Sequence, residues 1–249
     1  MSNGIKIDVA ADFTLDTPHY WDNFWEGNEG LGIGNGDPDS LSKTLQLYHQ
    51  TIWSRKLPCG DTMELQCGTG SNYLTWMDFR FGSDSIIVSF RYEKYRHMLD
   101  AVKKVVPDYR AFVEDYLHRA YTIGGMMIFP KHAGSINQAK GTSPKLRDRW
   151  DLTLECIRRY YNGKESPISK TLVRDKGFFD LFVDFKGFVD FFFLQDCVTT
   201  DYSEVKIWIG NADFIEDPLP KTVDEYLLWI SRQMEFLEKR NRRIAAAFK

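Results

Sequence analysis

Six side chains between residues 132 and 149 could together grip an anion: His132, Asn137, Gln138, Lys140, Lys145 and Arg149. Ammonium and guanidinium groups supply positive charge, and the planar fork of arginine matches a carboxylate or phosphate with two parallel hydrogen bonds. Amide side chains orient such a group by donating and accepting hydrogen bonds. His132 is the nearby group suited to acid–base work, because an imidazole titrates near neutrality.

Arg149 motivates this reading. A helix is predicted over 144–161, with Ser143 as N-cap, Pro144 in its first position and Asn162-Gly163 as its stop. At about 100° per residue, Leu146, Trp150, Leu154, Ile157 and Tyr161 share one face, and Leu152, Thr153, Cys156 and Tyr160 widen it. Arg149 projects from inside this apolar arc, in the second turn, near N–H groups that favour anions. A buried guanidinium needs a partner. Two are open: a ligand anion, approached over Gly124-Gly125, or an internal carboxylate such as one from 180–190. The other charges of the helix, Arg147 with Asp151 and Glu155 with Arg159, have the spacing of ordinary surface pairs.

The other chemical motifs are weaker. Residues 63–70 (MELQCGTG) look like the glycine-rich first motif of S-adenosylmethionine-dependent methyltransferases, but Gln66 takes the first glycine position. The following segment reads as a strand where that motif needs a helix, so a hairpin is expected. The glycines from Gly30 to Gly36 have no preceding strand and no P-loop lysine. The five histidines show no zinc spacing, and no nucleophile elbow occurs. Asp180, Asp184, Asp190 and Asp196 fit the solvated edge of a helix pair, and Lys239, Arg240, Arg242 and Arg243 fit cations that complement a helix C-terminus. No metal and no cofactor are expected.

These residues must be carried by a mixed set of elements. Helices are predicted over 38–55, 94–106, 108–120 and 144–161, and a pair within 178–198 broken at Gly187. The box Thr222-x-x-Glu225 opens a long last helix. Short strands are predicted over 63–66, 73–79, 85–90, 126–129 and 205–209, with 131–143 as a polar loop. Helices and strands do not alternate regularly. The expected fold is therefore α+β, a small antiparallel sheet packed with several helices and closed by a long C-terminal helix, in one domain over 1–249.

Composition narrows the class. The 249 residues are 43% hydrophobic and 27% charged with net charge -3, so nucleic acid is not an expected partner. The most apolar stretch, 178–198, contains three aspartates and a lysine before its last turn, which argues against a membrane span. With no signal peptide and no CxxC pair, the four cysteines read as reduced thiols of a cytoplasmic protein.

Several strings together are familiar: Asp37 to Ser40 with Tyr48-His49 and Trp53-Ser54, YTIGGMMIFP at 121–130, SINQAKG at 135–141, RDRWDLTLECIRRYY at 147–161 and FFDLFVDFKGFVDFFFLQ at 178–195. Over nearly its whole length the chain resembles a family of uncharacterised bacterial proteins, a domain of unknown function. The resemblance implies one integral domain and no particular activity. Lys140 departs from it, standing where the family string looks more like arginine; the charge is kept and the bidentate fork is lost. The leading expectation is binding of an anionic small molecule such as a nucleotide, with or without catalysis. The alternatives are a non-catalytic protein-interaction module, of the defence or toxin–antitoxin kind, and a methyltransferase. A contiguous exposed apolar patch from Trp21, Trp25 or the 178–194 phenylalanines would favour the module.

Overall fold

The chain is described by a computed structural model over residues 5–26, 36–68, 72–87 and 92–249. In chain order it runs α1 (Tyr20–Glu26), α2 (Pro38–Leu41), α3 (Lys43–Trp53), β1 (Gln66–Cys67), β2 (Tyr73–Trp76), β3 (Phe79–Ser85), α4 (Tyr92–Val105) and α5 (Tyr109–Ala120). After these come β4 (Met126–Pro130), α6 (Ile136–Thr142), α7 (Trp150–Tyr161), α8 (Ser169–Arg174), α9 (Lys176–Asp180), α10 (Phe185–Phe191) and α11 (Val223–Ala247). The four strands form one antiparallel sheet in the order β1-β2-β3-β4, with β3 and β4 in register from Phe81 opposite Pro130 to Ser85 opposite Met126. The fold is α+β, a four-stranded antiparallel sheet packed among helices.

All five residues of β4 are buried; Phe129 packs against Trp150 of α7 and Phe178 of α9. One apolar cluster includes Phe13, Trp53, Phe129, Trp150, Phe178, Phe182 and Trp229. The phenylalanines of 178–192 supply much of it: Phe178, Phe179, Phe182, Phe188 and Phe192 are fully buried and meet edge-on or tilted, the arrangements aromatic rings prefer.

Several boundaries differ from the sequence reading, each for a local reason. The helix expected over 38–55 is split at Ser42, whose extended backbone ends α2 while its hydroxyl accepts from the Leu45 N–H to cap α3. The break within 178–198 falls at Val183, with φ at 69°, and Asp184 then caps α10. Gly187 lies inside that helix, where a Cβ would stand 2.1 Å from the Phe182 carbonyl oxygen. Residues 205–209 form only a single bridge, Val205 to Val198. The strand expected over 85–90 ends at Ser85 and its later part lies outside the described residues, as does most of the Gly30–Gly36 run. Gln66–Cys67 and Tyr73–Trp76 pair as antiparallel strands, Gln66 opposite Thr75 and Cys67 opposite Leu74, so the described residues after Gly68 form a strand and not a helix.

The C-terminal helix starts as predicted, with Thr222 accepting from the Glu225 N–H at 3.1 Å. Arg240 corrects the expectation for its end. The helix continues to Ala247, so Arg240 is not a terminal cation but a buried one. It donates to the carbonyls of Phe192, Gly124 and Met126, tying α11 to the turn before β4 and to the end of α10. Gly124 is required there, because a Cβ would stand 2.6 Å from Asn241 Oδ1. All four cysteines are free, Cys59 and Cys67 at the surface and Cys156 and Cys197 buried. Among the described residues no helix is long and apolar enough to cross a membrane.

Candidate functional site

The helix expected from residue 144 begins at Trp150, and residues 143–149 make a turn instead. Arg147 and Asp148 both take left-handed backbone, with φ at 50° and 66°. The Asp148 N–H donates to the Lys140 carbonyl at 3.0 Å, so the turn folds back onto α6, the helix inside the stretch expected to be loop. The left-handed pair swings Asp148 inward and leaves Arg149 as the residue preceding α7.

Arg149 is buried as expected, although it precedes α7 and so does not sit in the helical apolar arc from which its burial was argued. Its partner is Asp151, not a carboxylate of 180–190: Nε donates to Oδ1 at 3.1 Å and Nη2 to Oδ2 at 2.5 Å. Nη2 also donates to the Ile209 carbonyl at 2.8 Å and Nη1 to the Pro218 carbonyl at 2.7 Å. The Trp208 N–H donates to Asp151 Oδ2 at 2.8 Å. The pair therefore fastens the irregular 208–218 segment to the start of α7. Asp151 is consequently unavailable to Arg147, which binds Asp217 at 2.6 Å, while the expected pair of Glu155 with Arg159 is formed at 2.9 Å. A guanidinium has five N–H bonds. Four are used, and one on Nη1 has no acceptor among the described residues.

That segment and α7 enclose a cleft of about 130 Å³. Arg149, Leu152 and Ile209 contribute to its lining, together with Lys145, Lys221, Asp213, Glu216, Asp217 and Glu225. Of the six predicted site residues, Lys145 and Arg149 meet there. The other four go elsewhere. The His132 Nε2 lies 2.7 Å from Asp175, and Nδ1 faces the Ala133 carbonyl, so both ring nitrogens are engaged. Gln138 accepts the Gly134 N–H at 2.7 Å and closes its own loop. Asn137 lies on α6, outside the cleft. Lys140 is buried between Asp148 at 2.5 Å and Asp84 at 3.1 Å. The expectation of one shared site is corrected: nearness in sequence did not survive the turn at 143–149.

A second polar group was not anticipated. Trp53 Nε1–H donates to His49 Nδ1 at 2.9 Å, which fixes the proton of the neutral ring on Nε2. His49 is neutral, since burial pushes its pKa down to about 3, with Arg240 adding to the shift. Nε2–H donates to Ser83 Oγ at 2.9 Å, and Ser83 donates to Asp39 Oδ1 at 2.9 Å. Asp39, Ser83 and His49 also line a notch of about 20 Å³, room for a water molecule. The three residue types suggest a nucleophilic triad, but the donors run the wrong way: a triad histidine accepts the serine proton, and here it donates to the serine. The chain anchors α2 and α3 to β3 instead. His49 and Trp53, four apart on α3, were a readable pair; Ser83 was not, because only the β3 register brings it there.

Burial holds the Asp39 carboxyl well above its ordinary range, and the carboxylates of Asp37 and Asp84 raise it further, against hydrogen bonds from Ser83 and the Ser85 N–H. The folded protein then keeps this proton at pH values where the unfolded chain, with an aspartate near 3.9, has lost it. The corresponding stability is present below about pH 4 and is lost as pH rises through the folded value. In urea unfolding from pH 4 to 8, wild type should lose stability relative to Asp39→Asn as pH rises. A difference growing in favour of wild type would contradict this.

The aspartates of 180–196 are surface groups as expected: Asp180 pairs with Lys176, Asp190 with Lys186 and Asp196 with Arg243, and Asp184 is a cap. Among the described residues no cluster of histidine, cysteine and carboxylate side chains could hold a metal ion.

The model of a family of unknown function, DUF6994, matches residues 7–244, and the chain belongs to that family. No curated protein and no solved structure matches it.

Proposed function

We propose that this member of the DUF6994 family binds a small polar molecule through a singly charged anionic group, in the cleft beside Arg149. The observation that carries the reading is the buried guanidinium lining that cleft with one N–H bond still unassigned, next to the Lys145 ammonium. The volume is about that of a cavity holding one benzene-sized molecule, and the lining carries four carboxylates against three cations. A compact monoanion suits both facts better than a nucleotide. His132, Asn137, Gln138 and Lys140 have no part in this binding.

The distribution of apolar surface favours this reading over the interaction module. The 178–192 phenylalanines are inside, and Trp21 and Trp25 pack against the core. The exposed large apolar side chains among the described residues are spread along the chain, some in turns (Leu15, Met77, Val183, Ile215) and some on different helices (Leu47, Val173, Leu228). Such isolated residues are normal at a protein surface. The hairpin at 66–76 likewise gives the methyltransferase alternative no helix N-terminus to hold a cofactor.

The test is a thermal melt with a panel of small carboxylates, amino acids, inorganic phosphate and a mononucleotide. A ligand that binds only the native state raises the melting temperature. At least one carboxylate-bearing member should do so, and Lys145→Ala should remove most of the rise. Lys131→Ala should not, since Lys131 binds Asn72 at 2.9 Å outside the cleft. A response to no member, or one indifferent to Lys145, would overturn the proposal.

A further inference from the structure

The charges around the cleft pair off unevenly. Arg149 is matched by Asp151, Lys221 by Glu216 at 2.5 Å and Asp217 by Arg147 at 2.6 Å. Lys145, Asp213 and Glu225 remain, each outside any close ion pair among the described residues, although Glu225 acts on the Lys221 ammonium at longer range. Lys145 donates to the Ile215 carbonyl. Asp213 accepts the Ile215 N–H at 2.8 Å through Oδ1, and Glu225 accepts the Lys221 N–H at 2.7 Å through Oε2. Each carboxylate thus keeps an oxygen with no hydrogen bond among the described residues, and both residues line the same cleft as Lys145 and Arg149.

A plain carboxylate would satisfy Lys145 and Arg149 while adding a third negative charge beside Asp213 and Glu225. Like charges held close disfavour binding by their Coulomb repulsion. A ligand that also carries an ammonium group turns both carboxylates from repulsive to attractive. Charge-assisted hydrogen bonds are the strong ones, so each end of such a ligand contributes to recognition.

We propose that the ligand is a zwitterion of the amino-acid class, its carboxylate held by Lys145 and Arg149 and its ammonium by Asp213 and Glu225. This rests on the cleft being the binding site and adds the identity of what it takes. The cleft of about 130 Å³ accommodates a molecule of that size. Asp213 and Glu225 act as the selectivity groups: they do little for a simple carboxylate and much for an amine-bearing one.

The experiment is calorimetry on the full chain with three matched probes, alanine, propionate and ethylamine, and with arginine as a larger member of the class. An amino acid should bind about tenfold or more tighter than both propionate and ethylamine, the ratio that one charge-assisted hydrogen bond supplies. Asp213→Asn combined with Glu225→Gln should shrink the preference for alanine over propionate; glutamine can still serve a capping box, so the helix is kept. Propionate binding as tightly as alanine, with Lys145 required, would leave the cleft as an anion site and overturn the zwitterion. The same follows if the double variant keeps the full preference for alanine. Absence of binding by every probe would overturn both this inference and the cleft itself.

Discussion

Replacing Arg149 by alanine should destabilise the protein by about 3–5 kcal/mol, the usual result of removing one partner from a buried ion pair. The loss has two sources. Asp151, fully buried, would keep its charge with only the Trp208 N–H in hydrogen-bond contact. The carbonyls of Ile209 and Pro218 would lose their donor, so the 208–218 segment would lose two of its ties to the start of α7, keeping Trp208 to Asp151 and Ala212 to Arg159. Equilibrium urea unfolding measures the cost. Arg149→Lys should recover only part of it, because an ammonium cannot span both carboxylate oxygens and two carbonyls at once. A double-mutant cycle with Asp151→Asn should give a coupling between the residues, as expected for direct contact. A change of less than about 1 kcal/mol in Arg149→Ala, the range typical of exposed pairs, would contradict the buried pairing. Since this residue serves the fold first, ligand binding is better probed at Lys145, which is only half-buried.

Lys140→Ala should be comparably damaging, by about 3–5 kcal/mol. The ammonium is buried between two carboxylates on different parts of the chain, Asp84 of β3 and Asp148 of the left-handed turn. It is therefore what makes the turn at 147–148, with two side-chain-bearing residues at positive φ, worth keeping; such conformations persist only where surrounding interactions hold them. Lys140→Met keeps the stem and removes the charge. It should be nearly as unstable as the alanine variant, and hydrogen exchange should show the amides of 146–150 opening more readily. If the methionine variant were as stable as wild type, the charge would not be what holds the turn.

Much of the framework was legible because it rests on local chemistry. The capping box at Thr222, the helix expected over 108–120 and the apolar string of β4 announce themselves within a few residues. The burial of Arg149 was expected, but from a helical arc to which the residue does not belong, since it precedes α7. What failed was the start of α7. Ser143-Pro144 is a fair helix opening by local preference, and nothing adjacent announces that Asp148 will be drawn inward to Lys140. That tertiary pair overrides the propensity, delays the start of the helix to Trp150 and scatters the six candidate residues. The wall of the cleft was hidden too, because 209–221 is irregular and meets Arg149 through the carbonyls of Ile209 and Pro218, which carry no sequence signature. Arg240 was misread on the same principle: an arginine near a helix end looks like a surface cation until long-range packing buries it.

The central claim is that a small zwitterion binds between the Arg149 turn and the 209–225 segment. The most direct test is an amide-resolved NMR titration of the full chain with alanine, or with arginine if the cleft prefers a longer side chain. Shifts should concentrate at residues 145–152 and 209–225, saturate with a single binding constant, and vanish in Lys145→Ala. Shifts confined to residues outside those two stretches, or none at saturating concentrations of either probe, would contradict it.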